Sequence, residues 1–388
     1  MEMTQAFIQP DIIKWARLRA DVNETYIAKQ VHIKTDKYVL WEKGEDFPTF
    51  KQAEKLAKAL HVPFGYLYLE RPPIEDIPIP DLRTIKDVEK KELSTEFRDL
   101  LNSILRKQNW YKTYLENQGF ESNNIVGRFS KEDSVETIAA DIKTTLGIND
   151  SSKNNTDNWS KYLSHLCNLA EENNIITLRS GIVGNNTRRK LSVAEFRGFA
   201  IYDKIAPFLF INSNDSHAAQ IFTFMHEIAH LWIGISGISN IYPSDKFDNI
   251  YEDIENFCNK IAAEIIVPKQ EFSDQLFRTN SLTNLARKFK ASSIVILRQA
   301  LELEYISKES FFELYEEEVS KQIVSKKQRS KGGDFYNSFF AKNSHTLVES
   351  LIVSVMEGRT LYKEAAKILD LKSATSVNKV AKELGIMF

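Results

Sequence analysis

The sequence has few cysteines and no long apolar run. Its 388 residues include only Cys167 and Cys258, which are too few and too far apart for a disulfide framework or a cysteine-based zinc cluster. No run of 18 apolar residues occurs, and the start MEMTQAFIQPD lacks a basic segment followed by an apolar core. We therefore expect a protein of the reducing cytoplasm, with neither a membrane span nor a secretion signal.

A strong net charge is also missing. Lysine and arginine number 51, aspartate and glutamate number 53, and the formal net charge is −2. No global field would draw the whole molecule to nucleic acid or to a membrane surface, so any such contact must be local. The length and the 43% hydrophobic content are sufficient for two or three domains, each with its own core.

Proline and helical periodicity divide the chain. Residues 11–69 hold five short helical patterns separated by turn residues, which predict a five-helix bundle. The stretch RPPIEDIPIPDL at 71–82 contains four prolines and predicts an extended connector. Residues 94–117 predict a long amphipathic helix that is capped by Ser94. We predict domains at 1–73 and 131–270, joined by the connector and long helix at 74–130, and a helical C-terminal region at 271–388.

The central region combines helices with a small sheet. Helical patterns near VETIAADIKTTLG and WSKYLSHLCNLAEEN precede FRGFAIYD and APFLFINS, which predict a hairpin that turns at Lys204. After Pro268 the pattern is mainly helical, with a surface loop predicted at 325–334. The predicted fold class is α+β and mostly α, with a zincin-like central domain.

The segment FTFMHEIAHLWIG at 222–234 carries the strongest chemical signal. His226 and His230 are four residues apart, and Glu227 follows the first histidine directly. On an α-helix this spacing places both imidazoles on one face, where they can bind one metal ion with the glutamate beside it. The uncharged residues around them are typical of a helix buried behind an active site. The alternative interpretation is a core helix with two hydrogen-bonded histidines.

Zinc suits this arrangement chemically. A catalytic Zn²⁺ site takes three protein ligands and a water, and a nearby carboxylate must accept the proton of that water. Glu227 would be this base. The segment YEDIENFCNKIAAEIIVP at 251–268 is helical in pattern and offers several carboxylates. We choose Glu255 as third ligand and keep Glu252 in reserve, because Glu264 lies about half a turn away from Glu255.

Further residues near the motif have two interpretations each. Asn259 could orient a ligand or lie on the helix surface, and Cys258 is more typical of a small core residue. Arg197 and Tyr251 could stabilise an oxyanion or be structural. His217 lies half a turn from the metal face and is left out of the site. The predicted hairpin could offer a strand edge to an extended substrate, or it could be purely structural.

The motif and its flanks resemble a known family. FTFMHEIAHL followed by IENFCNKIAAEIIVP resembles the ImmA/IrrE-type zinc metallopeptidases, over roughly residues 131–270, and LARKFKASSIVILRQALELEYIS is similar to a later segment of that family. The resemblance implies zinc held by His226, His230 and Glu255, with Glu227 as general base. It also implies activity against a repressor protein. Cys258 stands where the family often has alanine.

The N-terminal bundle resembles the helix-turn-helix of phage-repressor (XRE) type in IAKQVHIKTDKYVLWEKGEDFPTFKQAEKLAKAL. The resemblance implies a recognition helix over residues 33–43, with Lys34, Thr35 and Lys37 near base edges. Residues 1–73 carry 11 basic and 10 acidic side chains, which is not the charge of a strong phosphate binder. A protein-docking or dimerisation module is therefore the alternative, and a homodimer would fit it.

Three functional hypotheses follow. The first is a zinc endopeptidase fused to a DNA-binding domain, which cleaves a repressor-like protein in transcriptional, phage or mobile-element, or stress control. The second is a DNA-binding regulator or antitoxin that uses the zincin domain as a sensing or partner-binding scaffold, with a cognate toxin as partner. The third is self-cleavage at the connector 71–82.

Overall fold

The computed structural model describes residues 4–73, 93–149, 158–239, 250–276, 281–325 and 335–386. The chain divides into two compact units, one formed by Met1–Pro78 and Lys91–Leu101 and the other by Ile79–Lys90 and Asn102–Phe388. The predicted connector and the predicted loop at 325–334 lie outside the described residues, except for 71–73 and 325. In the described part of the chain, no helix has both the length and the apolar character required to cross a bilayer.

Up to residue 73, the described part of the first unit contains four α-helices and one 3₁₀ helix. These are α1 (Pro10–Arg19), α2 (Glu24–Val31), α3 (Thr35–Lys43), α4 (Phe50–Ala59) and the 3₁₀ helix Phe64–Tyr68. The fifth predicted segment is thus not an α-helix. It has only five residues and follows Pro63, and such short segments favour the tighter 3₁₀ geometry. Tyr38 and Trp41 of α3 are buried in the core of this unit.

Local interactions set the ends of these helices. Asn23 caps α2 by accepting a hydrogen bond from the Tyr26 amide, and Thr49 forms a capping box with Gln52 at the start of α4. Helix α2 ends at His32, whose backbone is left-handed at φ 62°. Because His32 turns the chain there, α3 begins at Thr35, so the predicted start at residue 33 was two residues too early.

A partly buried ion pair joins α1 to α3. Arg17 Nε donates to Glu42 Oε1 at 2.7 Å, and Arg17 Nη2 donates to Glu42 Oε2 at 3.0 Å. The same guanidinium lies 2.8 Å from Glu24 Oε1 of α2. A bidentate contact of this kind fixes the relative orientation of the two side chains and also pairs their charges. Arg17 therefore holds together α1, α2 and α3.

The second unit is built on a four-stranded sheet with strand order β1-β5-β4-β6. The strands are β1 (Ile176–Ser180), β4 (Gly198–Ile201), β5 (Phe208–Asn212) and β6 (Gly237–Ser239), and a separate hairpin is formed by β2 (Ile182–Val183) and β3 (Asn186–Lys190). Strands β4 and β5 pair in antiparallel fashion, which confirms the predicted hairpin. Strand β5 also pairs with β1 in parallel.

Helices cover this sheet and continue to the C-terminus. They are α5 (Thr95–Asn117), α6 (Val135–Leu146), α7 (Trp159–Glu172), α8 (His217–Trp232), α9 (Ile250–Ile266), α10 (Lys269–Leu276), α11 (Leu282–Phe289), α12 (Ser293–Glu302), α13 (Lys308–Ser325), α14 (Phe335–Asn343), α15 (His345–Met356), α16 (Tyr362–Ile368) and α17 (Ala374–Glu383). The fold is mostly helical with a small mixed sheet, so the predicted class is confirmed.

Helix α8 lies at the centre of the second unit. It packs on β4 and β5, and α6, α7 and α9 surround it. Residues of α10 to α12, among them Phe272, Phe289 and Ile296, belong to the same core as α8. The last helices, α14 to α17, have a core of their own that includes Leu351, Leu369 and Val377. The helices after residue 270 therefore contribute to two separate hydrophobic cores.

Candidate metal centre

The ends of α8 are fixed, which sets the position of its histidines. Ser216 caps the start by accepting a hydrogen bond from the Ala219 amide at 3.3 Å. At the other end, Trp232 Nε1 donates to Asp141 Oδ1 on α6 at 2.8 Å, and the Gly127 amide donates to the Leu231 carbonyl at 2.8 Å. The bonds of the Ala219 amide and the Leu231 carbonyl satisfy backbone groups that a helix end leaves without partners, and the Trp232 bond ties the helix to α6. The helix therefore presents its side chains from a rigid frame.

Helices α8 and α9 bring two imidazoles and one carboxylate together. The Nε2 atoms of His226 and His230 lie 3.0 Å apart. Glu255 places Oε2 at 3.2 Å from His226 Nε2 and Oε1 at 3.1 Å from His230 Nε2. A tetrahedral zinc with bonds of about 2.0–2.1 Å separates its ligand atoms by about 3.3 Å. Within the described residues this is the one group of three such side chains that could hold a metal ion.

The protonation states also fit metal ligands. Burial alone would raise the pKa of Glu255. The facing imidazoles of His226 and His230 outweigh this effect and lower the pKa to about 2. Burial lowers the pKa of His230, and Glu255 raises it only in part, so the net shift is downward. An anionic carboxylate and a neutral imidazole are the forms that bind a metal. The donor set therefore suits zinc in chemistry as well as in distance.

Strand β4 approaches the predicted base very closely. Glu227 is fully buried, and a Cβ placed on Gly198 would lie 2.7 Å from Glu227 Oε1 and 2.6 Å from Thr223 Cγ2. Only glycine leaves room for the carboxylate at this point. The sequence-based reasoning missed Gly198. A glycine inside the strand pattern FRGFAIYD was the available signal, because it often marks a close approach to a backbone.

The edge of β4 is not free. Strand β6 pairs with it in antiparallel fashion, with Gly198 opposite Ser239, Phe199 opposite Ile238 and Ala200 opposite Gly237. In this conformation β4 therefore offers no free edge to a substrate. Strand β6 follows α8 after only a few residues, and the chain returns to cover the strand beside Glu227. The ligand side chains are also buried, with Glu255 4% exposed and both histidines 0%.

The other residues considered near the motif have structural surroundings. Arg197 Nη1 lies 2.8 Å from Asp215 Oδ2, next to the cap of α8. Cys258 is buried, and burial raises the pKa of its thiol well above the ordinary value, which makes it an unreactive core residue. Asn259 Oδ1 is buried and accepts no hydrogen bond within the described residues.

The other residues considered near the motif are Glu252, Tyr251 and His217. The side chains of the reserve ligand Glu252 and of Tyr251 lie outside the described ones. His217 is the first residue of α8, more than two turns before His226.

The predicted DNA-reading residues cluster at the start of α3. Lys34 precedes the helix and is exposed, and Thr35 is its first residue. Lys37 Nζ lies 3.7 Å from Asp46 Oδ2. The structure therefore brings these three residues to one end of one helix.

Two family matches cover parts of the chain. Residues 182–300 match the Peptidase_M78 family model, described as an IrrE N-terminal-like domain. Residues 343–383 match a domain of unknown function, DUF8813. No curated protein and no solved structure matches the chain. The first match includes His226, Glu227, His230 and Glu255, and it supports a protease-like, zincin-type domain. Neither match covers the N-terminal bundle.

Removal of the third ligand should weaken zinc binding. We expect Glu255→Ala to lower zinc affinity by about 100-fold or more, since loss even of groups that only orient a ligand costs about 10–100-fold. The measurement is zinc content after gel filtration and affinity by competition with a chelator. Asp253→Ala is the matched control, because Asp253 is exposed on the same helix. Unchanged affinity in Glu255→Ala would remove Glu255 from the site.

Proposed function

We propose that this chain is a zinc-dependent endopeptidase that cleaves a repressor-like regulatory protein, with its N-terminal unit binding DNA. The observation that carries the proposal is the convergence of His226, His230 and Glu255 beside Glu227 within a region that matches a peptidase family. The separate resemblance of residues 1–73 to a repressor-type helix-turn-helix supports a regulatory setting, in transcription, in phage or mobile-element control, or in stress.

Metal binding and proton transfer are assigned to different residues of the chain. His226, His230 and Glu255 would hold the metal, which supplies Lewis acidity toward a peptide carbonyl and lowers the pKa of a water. Glu227 accepts the proton of the attacking water on its carboxylate and passes it to the leaving amine. Gly198 leaves space for this carboxylate against β4. The burial of all four polar side chains excludes bulk water and strengthens their electrostatic effects.

The role of Glu227 is separable from metal binding. We expect Glu227→Gln to retain zinc and to lower the rate of cleavage by about 10²–10⁴-fold, the usual contribution of a general base. The measurement is cleavage of the proteins encoded by neighbouring genes, detected by mass spectrometry, with zinc content determined in parallel.

A second variant tests the same role without changing the base. Gly198→Ala should displace the Glu227 carboxylate while all three ligands remain, so it should also lose activity before it loses zinc. Full activity in Glu227→Gln would exclude Glu227 as the base.

Access to the centre requires strand β6 to leave. An extended peptide bound beside Glu227 would add to the edge of β4, and β6 occupies that edge. Strand β6 has only three residues, so its displacement breaks few backbone hydrogen bonds. We therefore propose that β6 keeps the peptidase latent until a substrate replaces it.

A disulfide between β4 and β6 should lock this state. Ala200 and Gly237 face each other in the sheet, where paired Cα atoms are about 4.5–5.5 Å apart, within the range for a disulfide. We expect oxidised Ala200→Cys/Gly237→Cys to lose cleavage and to recover it on reduction with a phosphine. The two single variants are controls. Both native thiols are buried, and burial raises the pKa of Cys167 to about 11. Equal cleavage in both redox states would contradict the proposal.

The closed centre also favours a second function. Because Glu227 and its neighbours are buried, the zincin domain could act as a sensing or partner-binding scaffold in a DNA-binding regulator or antitoxin. A cognate toxin would then be the partner. DNA binding without cleavage of any neighbouring protein would support this second function over the first.

DNA binding by the first unit depends on the start of α3. We expect Lys34→Ala/Lys37→Ala to weaken binding to the DNA upstream of the gene by about tenfold or more, because these side chains lie where base edges and phosphates are contacted. Fluorescence anisotropy at several salt concentrations measures this. The control is Lys55→Ala, which removes an exposed lysine from α4, away from the start of α3. Unchanged affinity in the double variant would leave protein docking as the role of the bundle.

A further inference from the structure

The C-terminal helices α16 and α17 repeat the burial pattern of α2 and α3. In the first unit the inward positions of α2 and its turn are Ile27, Ala28, Val31 and Ile33, and in the last helices they are Ala365, Ala366, Leu369 and Leu371. The spacing of the two sets is the same. In the second helix of each pair the inward residues are again three apart, Tyr38 and Trp41 in α3 and Val377 and Val380 in α17.

The turn between the two helices is also repeated. Its left-handed residue is His32 at φ 62° in one case and Asp370 at φ 55° in the other, at the same distance from the first inward residue. The next amide bonds back into the first helix in both: Ile33 to the Ala28 carbonyl at 2.9 Å, and Leu371 to the Ala366 carbonyl at 2.7 Å. These hydrogen bonds end the helix and redirect the chain. Counted from the left-handed residue, α17 begins one residue later than α3 does.

The outer face of α17 carries groups that suit nucleic acid. Thr375, Asn378, Lys379 and Lys382 are exposed on the helix, and Lys372 is exposed in the turn. Residues 359–383 contain six basic and three acidic side chains, whereas the whole chain is nearly neutral. One of the three acids, Asp370, lies 3.3 Å from the buried Lys107, which compensates its charge. Lysine contacts phosphates, and threonine and asparagine can read base edges.

We propose that α16 and α17 form a second helix-turn-helix that binds duplex DNA, with α17 as the recognition helix in the major groove. In such motifs the first residues of the second helix contact base edges, and the first helix crosses the backbone. Lys372 and Lys379 contact phosphates, and Thr375 and Asn378 face the bases. This assignment gives a binding activity to a region that matches only a domain of unknown function, and it does not depend on peptidase activity.

The test uses the full chain with its first motif silenced by Lys34→Ala/Lys37→Ala. The probe is a labelled duplex of random sequence, followed by anisotropy over a range of salt concentrations. Adding Lys372→Ala/Lys379→Ala should weaken binding by about tenfold or more and should flatten the salt dependence by about two counterions. The matched control adds Lys131→Ala/Lys308→Ala, which removes two exposed charges outside the motif. Thermal melting checks that each variant is folded.

A second measurement separates base reading from charge. Sequences selected from a random duplex library should change with Asn378→Ala, while Lys379→Ala should weaken all sequences alike. Absence of duplex binding by the silenced chain would overturn the proposal, as would equal affinities of the Lys372→Ala/Lys379→Ala variant and its control. Retention of a co-purifying protein that the α17 substitutions release, without any DNA binding, would assign the face to protein docking instead.

Discussion

The central region depends on the contact between Glu255 and the two imidazoles of α8. A carboxylate buried to this extent is unfavourable in an apolar core unless charge or hydrogen bonding compensates it. Here His226 and His230 compensate it, at 3.1–3.2 Å, and they lower the pKa of Glu255 despite its burial. The contact therefore ties α9 to α8 in a fixed register. The packing of the sheet and the surrounding helices keeps the three side chains aimed at one point.

The same packing closes the centre. Strand β4 lies against Glu227 through Gly198, and β6 occupies the outer edge of β4. The proposed peptidase would bind an extended substrate at this edge, which β6 occupies in this conformation. This is the physical basis for both proposed functions. The two proposed functions differ in whether β6 leaves the sheet and a substrate is cleaved.

Polar contacts at one hairpin are among those that attach the C-terminal helices to the central region. Lys342 Nζ donates to the Gly184 carbonyl at 3.2 Å, and Asn185 Nδ2 donates to the Asp370 carbonyl at 2.7 Å. Asp370 is also the left-handed residue between α16 and α17. The turn proposed for DNA binding is thus held by the hairpin β2–β3, which begins the peptidase-like region.

Much of the fold could be predicted from local sequence patterns. The elements that were missed have sequence patterns too short to predict a strand. The hairpin β4–β5 and the long helix after Ser94 follow from alternation, periodicity and capping, and both were predicted. Strands β1 and β6 were not, because ITLRS and GIS have only five and three residues, too few for their pattern to distinguish a strand from a loop. They form strands because they pair with β5 and β4, respectively, and neither partner is the neighbouring strand in the sequence.

The sequence by itself determined the metal-facing pair, because a four-residue spacing on one helix fixes the relation of His226 to His230 whatever surrounds it. Only the tertiary structure decided which carboxylate of the next helix reaches them, since that depends on how α9 crosses α8. It also decided that Gly198 borders the base and that β6 fills the edge of β4. Local spacing is a property of one element, whereas the approach of two elements depends on the packing of the whole core.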